Sequence, residues 1–113
     1  MLTELNGFRI DDALERFGGD EGTFLKYARM VVKEFEGRMD TLHSLFAAQQ
    51  VAPLQSMLHT LKGSAACVSA TALYGLCERA EKACKSGQLQ DVPQLLNDIQ
   101  ACLDQTRMAL ARM

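Results

Sequence analysis

The sequence predicts an all-α domain, an antiparallel up-down four-helix bundle with a short extra N-terminal helix. Three observations lead there. Leu, Ala, Glu, Lys, Arg, Gln and Met dominate the chain, and these residues lose least on entering a helix. Apolar residues recur at steps of three and four along four long segments, the period of a single buried helical stripe. The breaks between those segments are short, which favours antiparallel neighbours. With 113 residues, 48% of them apolar, the chain is expected to form one domain around one core, spanning 1–113.

Residues 1–19 read as a lead-in and a short helix from Asp11 to Phe17, stopped by Gly18-Gly19. Phe8, Ile10 and Leu14 are expected to pack this helix over the bundle end, the alternative being an exposed apolar surface on which a partner docks. The bundle occupies 20–112. Asp20 caps its first helix, with Glu21 at the positive end of the helix dipole. The stripe there is Phe24, Ala28, Val31, Phe35, Met39, Leu42 and Phe46, and Gly37 is a candidate bend. After Gln49-Gln50, Pro53 suits the first turn of a helix around 51–68. Its stripe is Val51, Leu54, Leu58, Leu61, Ala65 and Val68. Ser69 is a candidate cap for the next helix, which carries Leu73, Leu76, Ala80 and Cys84 and ends at Gly87, suited to a left-handed residue. Asp91 caps the last helix, with Val92, Leu95, Leu96, Ile99, Leu103, Thr106 and Leu110 as its stripe.

A formal net charge of -2 lacks the basic excess that nucleic-acid binding selects. No apolar run approaches a membrane span, and no signal-peptide pattern opens the chain. Cys67, Cys77, Cys84 and Cys102 form no Cys-x-x-Cys pair and have no histidine at ligand spacing. They read as small apolar residues of a reducing, cytoplasmic compartment, and no metal site is expected.

The chemistry concentrates in Leu58-His59-Thr60-Leu61-Lys62-Gly63-Ser64-Ala65. At about 100° per residue, His59 points roughly 130° from the middle of its helix's apolar stripe, out into water. Residues three and four away touch it: Gln55, Ser56, Lys62 and Gly63, with Ala52 and Ala66 a further turn out. The patch is mostly small. A glycine inside a helix costs about 0.5–1 kcal/mol relative to alanine, and Gly63 lies opposite the buried stripe, so close helix packing does not account for it. Clearance for a large body approaching His59 does. Lys62 places a positive charge one turn from the imidazole, suited to the nearly two negative charges of a phosphoryl group. An imidazole ordinarily titrates near about 6.5 and so offers a free ring nitrogen at neutral pH. In-line phosphoryl transfer suits such a convex, uncrowded face.

His59-Thr60-Leu61-Lys62-Gly63-Ser64-Ala65 resembles the His-x-Leu-Lys-Gly-Ser-Ala signature of the histidine phosphotransfer (HPt) family. Asn6 to Phe35 is similar to the family's lead-in, and Leu73 to Gly87 to the helix that follows its site. The resemblance implies a phosphorelay intermediate. His59 would accept a phosphoryl group through Nε2, Lys62 would contact it, and Gly63, Ser56, Ala66 and Gln55 would give a receiver domain access. Ser64 would be a supporting polar residue. Glu81 stands where the family places a partner for the imidazole, and a carboxylate accepting from Nδ1–H would leave Nε2 as the nucleophile. Lys82 and Lys85 would extend a basic rim. The implied partners are receiver domains of a hybrid sensor kinase and of a response regulator, the Mg²⁺ sits on the receiver, and the chain is expected to be a monomer. The family commonly has glycine where this chain has Ser69, so the turn after the site helix is expected to differ.

No glycine-rich nucleotide loop and no receiver-type acidic triad is present, so neither ATP use nor autophosphorylation is expected. His43 sits beside Leu42 with no comparable neighbourhood and reads as a surface histidine. Two other function classes fit the same helical pattern: an interaction or dimerisation module in which His59 is incidental, and a cofactor-binding bundle, whose facing ligands the sequence does not supply.

Overall fold

The computed structural model describes residue 2 and residues 5–113. Among the described residues five α-helices follow in order: α1 (Ile10–Arg16), α2 (Glu21–Ala47), α3 (Val51–Cys67), α4 (Thr71–Ser86) and α5 (Val92–Ala111), with a 3₁₀ turn at Leu89–Asp91 leading into the last. The four long helices form an all-α bundle of 42 × 22 × 18 Å. Each packs on its neighbour in the chain, and α5 closes the ring against α2.

The lead-in shows that the bundle runs up and down. Phe8 meets Phe24 edge-on at the start of α2. The Arg9 N–H donates to the Ser69 carbonyl at the end of α3. The Gly7 carbonyl accepts from the Ala72 N–H at the start of α4. Asn6 and Gly7 line a groove with Met108 and Ala109 at the end of α5. One short segment therefore seals two helix starts and two helix ends, as only alternating directions allow. Gly7 suits this close approach, because a Cβ there would lie 3.1 Å from that of Ala72 and its φ is +87°. Phe17 stacks on Tyr27, bringing α1 onto α2.

The core follows the expected stripes with a few shifts. On α2 the buried residues are Phe24, Ala28, Val32, Phe35, Met39 and Leu42; Val32 replaces the expected Val31, and Phe46 is half-buried. Leu54, Leu58, Leu61 and Ala65 are the buried face of α3, with Val51 half-buried. On α4 Cys77 is buried where Leu76 was expected. On α5 Leu95 is half-buried, and the rest of its stripe lies inside. Gly37 leaves α2 uninterrupted over 27 residues.

Helix ends obey local chemistry. The Asp20 side chain accepts from the Thr23 N–H at 3.2 Å and caps α2. Gly87, left-handed at φ 76°, ends α4 as expected. Asp91 does not cap α5 with its side chain, because the chain arrives there already helical from the 3₁₀ turn. The turn after α3 keeps a left-handed residue despite lacking glycine: Ser69 has φ +56°. Its N–H reaches the Ala66 carbonyl and the Ala70 N–H reaches that of Ala65, the paired bonds of a Schellman closure. Ser69 does not cap α4; its hydroxyl donates to Asp12 of α1 instead. The helix boundary thus stays where a glycine would put it.

Cys77 and Cys84 are buried, Cys102 is half-buried, and all four thiols are free. Burial pushes the Cys77 thiol up to about 12, which keeps it inert. Cys67 departs from the expectation of a packed apolar residue, since it is exposed. Among the described residues no helix is long and apolar enough to cross a membrane, and no three His, Cys, Asp or Glu side chains gather as a metal site.

Candidate functional site

The phase of α3 sets the site. With Leu54, Leu58, Leu61 and Ala65 turned inward, His59 is thrown outward, its side chain 68% exposed. The neighbouring helix supplies its partner. The buried face of α4 is mostly small, with Cys77, Ala80, Ala83 and Cys84 beside Leu73, and small side chains let two helices approach closely. Glu81, next to Ala80, is carried into that seam and is only 6% exposed. Its Oε2 lies 2.9 Å from His59 Nδ1.

Lys62, one turn along α3, also turns to Glu81. Its Nζ lies 2.8 Å from Oε1, an oxygen shut off from solvent. The same ammonium lies 5.9 Å from the ring centre of Tyr74, within cation–π range. Lys62 is thus not the freely exposed ammonium that its position off the stripe suggests; its side chain is 20% exposed.

Charge states follow from this geometry. Burial pushes the Glu81 carboxyl up, but the Lys62 ammonium and the His59 ring outweigh it and hold the carboxyl below the usual glutamate range. The Glu81 carboxylate in turn raises Lys62 above an ordinary lysine, against some loss of solvation. An ionised carboxylate only accepts, so Nδ1 of the neutral imidazole is the protonated nitrogen and Nε2 keeps the lone pair.

Around His59 the surface is open. Ser56 and Gly63 are exposed, and Gln55 and Ala66 are half-buried. A Cβ built on Gly63 meets nothing within 4 Å, consistent with the clearance expected there. Ser64 lies to one side. Its hydroxyl reaches the Thr60 carbonyl at 3.4 Å, and it lines an open groove of about 610 Å³ with Tyr27, Met30 and Cys67. Lys82 pairs with Glu78 at 3.1 Å, and Lys85 is exposed on the following turn of α4. His43 is exposed on α2.

Tyr74 is the residue that sequence reasoning missed. It precedes Glu81 by seven positions, two turns along one helix face, and that spacing from the carboxylate was the available signal.

A family model, the Hpt domain, matches residues 26–109. The chain belongs to the Hpt domain family. The matched stretch includes α3 with His59 and α4 with Glu81, and leaves the lead-in and α1 outside it. Hpt domains carry out histidine phosphotransfer in phosphorelays, with receiver domains as partners. Searches of curated proteins and of solved structures returned no match.

Proposed function

We propose that this Hpt domain relays phosphate through His59. Nε2 accepts a phosphoryl group from a phospho-aspartyl receiver domain, of the kind carried by hybrid sensor kinases, and passes it to the receiver of a response regulator. The observation that supports this most directly is a solvent-facing imidazole whose Nδ1 is engaged by a buried carboxylate, so that the outward nitrogen is the nucleophilic one. In-line transfer asks that the incoming group approach along the Nε2 lone pair, and the bare surface at Gly63 and Ser56 leaves that path open. Lys62 stands one turn away and contacts the phosphoryl group once its charge competes with Glu81 for the ammonium. The domain acts without ATP and as a monomer in the cytoplasm; the Mg²⁺ and the aspartate belong to the receiver.

Incubation with a phosphorylated receiver, or with phosphoramidate, tests the assignment. The expected product carries an acid-labile, base-stable label that a His59→Gln variant does not acquire. Label that persists in that variant places the acceptor elsewhere.

A further inference from the structure

Fixing the tautomer of His59 needs only a hydrogen-bond acceptor, yet Glu81 brings a full negative charge. That charge matters most after phosphorylation. A neutral imidazole has one N–H and one lone pair. Once Nε2 has spent its lone pair on phosphorus, Nδ1 either keeps its proton and the ring is cationic, or loses it and becomes an acceptor. Nδ1 lies 2.9 Å from Oε2, and two acceptors at that distance repel. Glu81 has little room to turn aside, because it is buried in the seam between α3 and α4.

Resting on the phosphoacceptor reading above, we propose that Glu81 keeps the Nδ1 proton on the ring after His59 is phosphorylated, so that the phosphoryl group sits on an imidazolium. In the loading step the Nε2 lone pair forms the N–P bond, while the P–O bond of the donor acyl phosphate breaks and its electron pair returns to the donor carboxylate. The Nδ1 proton does not move. In the unloading step the N–P bond breaks with its pair going back to Nε2, and the ring departs as neutral imidazole. Without the Nδ1 proton it would have to depart as imidazolate, a far poorer leaving group. Glu81 is thus a positioning residue that holds the phosphoryl group in its transferable form.

The surrounding charges support this. Lys62 faces the ring from α3, and Glu81 faces it from α4. Farther along α4, Glu78 and Lys82 largely cancel in their own pair, Lys85 is exposed to solvent, and Tyr74 lies against Lys62. A phosphoryl group adds about two negative charges. With the proton retained, the phosphoryl group, ring, Lys62 and Glu81 together carry about one negative charge, and without it about two.

The test begins with phosphoramidate-labelled protein and needs no partner. Nitrogen-15 NMR of the phosphorylated ring is expected to show Nδ1 holding its proton to a pH about one to three units above phosphohistidine in a short unstructured peptide, as an adjacent opposite charge dictates. Hydrolysis of the label is expected to be about tenfold faster than in Glu81→Gln near about pH 8.5, one unit of protonation being one decade. The two rates converge near about pH 5.5, where both rings are protonated. Label on His59 with peptide-like protonation overturns the proposal and leaves the phosphoacceptor assignment standing. Failure of His59 to take label overturns both. The wild-type NMR titration decides the matter even if Glu81→Gln folds poorly.

Discussion

Lys62 Nζ lies 2.8 Å from Glu81 Oε1, so the lysine beside the proposed phosphoacceptor shares one buried carboxylate with His59, whose Nδ1 lies 2.9 Å from Oε2. From its place off the apolar stripe, Lys62→Ala is expected to slow transfer and leave the fold untouched. The ion pair changes that expectation. Removing the ammonium strands Oε1 in a buried seam, and a buried charge deprived of its partner destabilises. Lys62→Ala should therefore both lower the melting temperature at neutral pH and slow labelling of His59. Lys62→Arg, which keeps the charge, should recover most of the stability. Melting curves and label uptake on the same preparations separate the two effects.

The same pair gives stability a pH dependence with a defined sign. The Glu81 carboxyl in the folded protein titrates below its ordinary 4.5. A group depressed on folding adds stability above its unfolded value and loses it as pH falls through the folded one. Asp12 and Asp20 are depressed as well, by Ser69 and Arg16 and by the Thr23 N–H respectively, so the informative quantity is the difference between wild type and Glu81→Gln. Whatever their offset at neutral pH, that difference should move against wild type as pH falls below 4.5. Lys62 is raised above its ordinary 10.5, so its contribution is present below that value and fades as pH rises through the higher folded one. Denaturant unfolding at stepped pH measures both limbs.

Ser69 offers a separate test of how the N-terminal helix is fastened. Its left-handed backbone is disfavoured for any residue with a Cβ by about 1–2 kcal/mol, while its hydroxyl bonds Asp12 across the chain. Ser69→Gly removes the strain and the hydrogen bond together, and Ser69→Ala removes only the hydrogen bond. The expected order of stability places Ser69→Ala about 1 kcal/mol or more below Ser69→Gly, with Asp12→Ala lowering wild type more than it lowers Ser69→Gly, where only its pair with Arg16 is left to lose. Equal stability of the two Ser69 variants in denaturant unfolding would contradict a left-handed residue there.

Much of this was legible in the sequence because it is local. The helices, the αL end at Gly87 and the outward phase of His59 follow from residue type and a period of 3.6. Where two adjacent apolar residues fit that period equally well, the neighbouring helix decides. Val31 and Val32 differ by one step, and packing selects Val32; Cys77 is chosen over Leu76 although leucine is the more apolar. Ser69 was read as a cap because its partner, Asp12, lies 57 positions away. The burial of Glu81 was hidden for the same reason, since a carboxylate enters the α3–α4 seam only where another helix brings His59 and Lys62 to meet it.

Under the proposed relay Gly63 carries the clearance for docking, and its open surroundings separate folding from that role. Nothing lies within 4 Å of a Cβ placed there, so Gly63→Ala should stabilise the domain by about 0.5–1 kcal/mol through helix propensity alone. Gly63→Gln should be at least as stable as wild type, yet its side chain projects beside His59 where a receiver must seat. Transfer from a phosphorylated receiver should fall steeply in Gly63→Gln, while labelling by phosphoramidate, which needs little room, stays close to wild type. Gly37 provides the control. It too has open space at its Cβ but lies on α2, so Gly37→Ala should raise stability comparably and leave receiver transfer unchanged. Normal receiver transfer by Gly63→Gln would mean that the glycine serves no docking role.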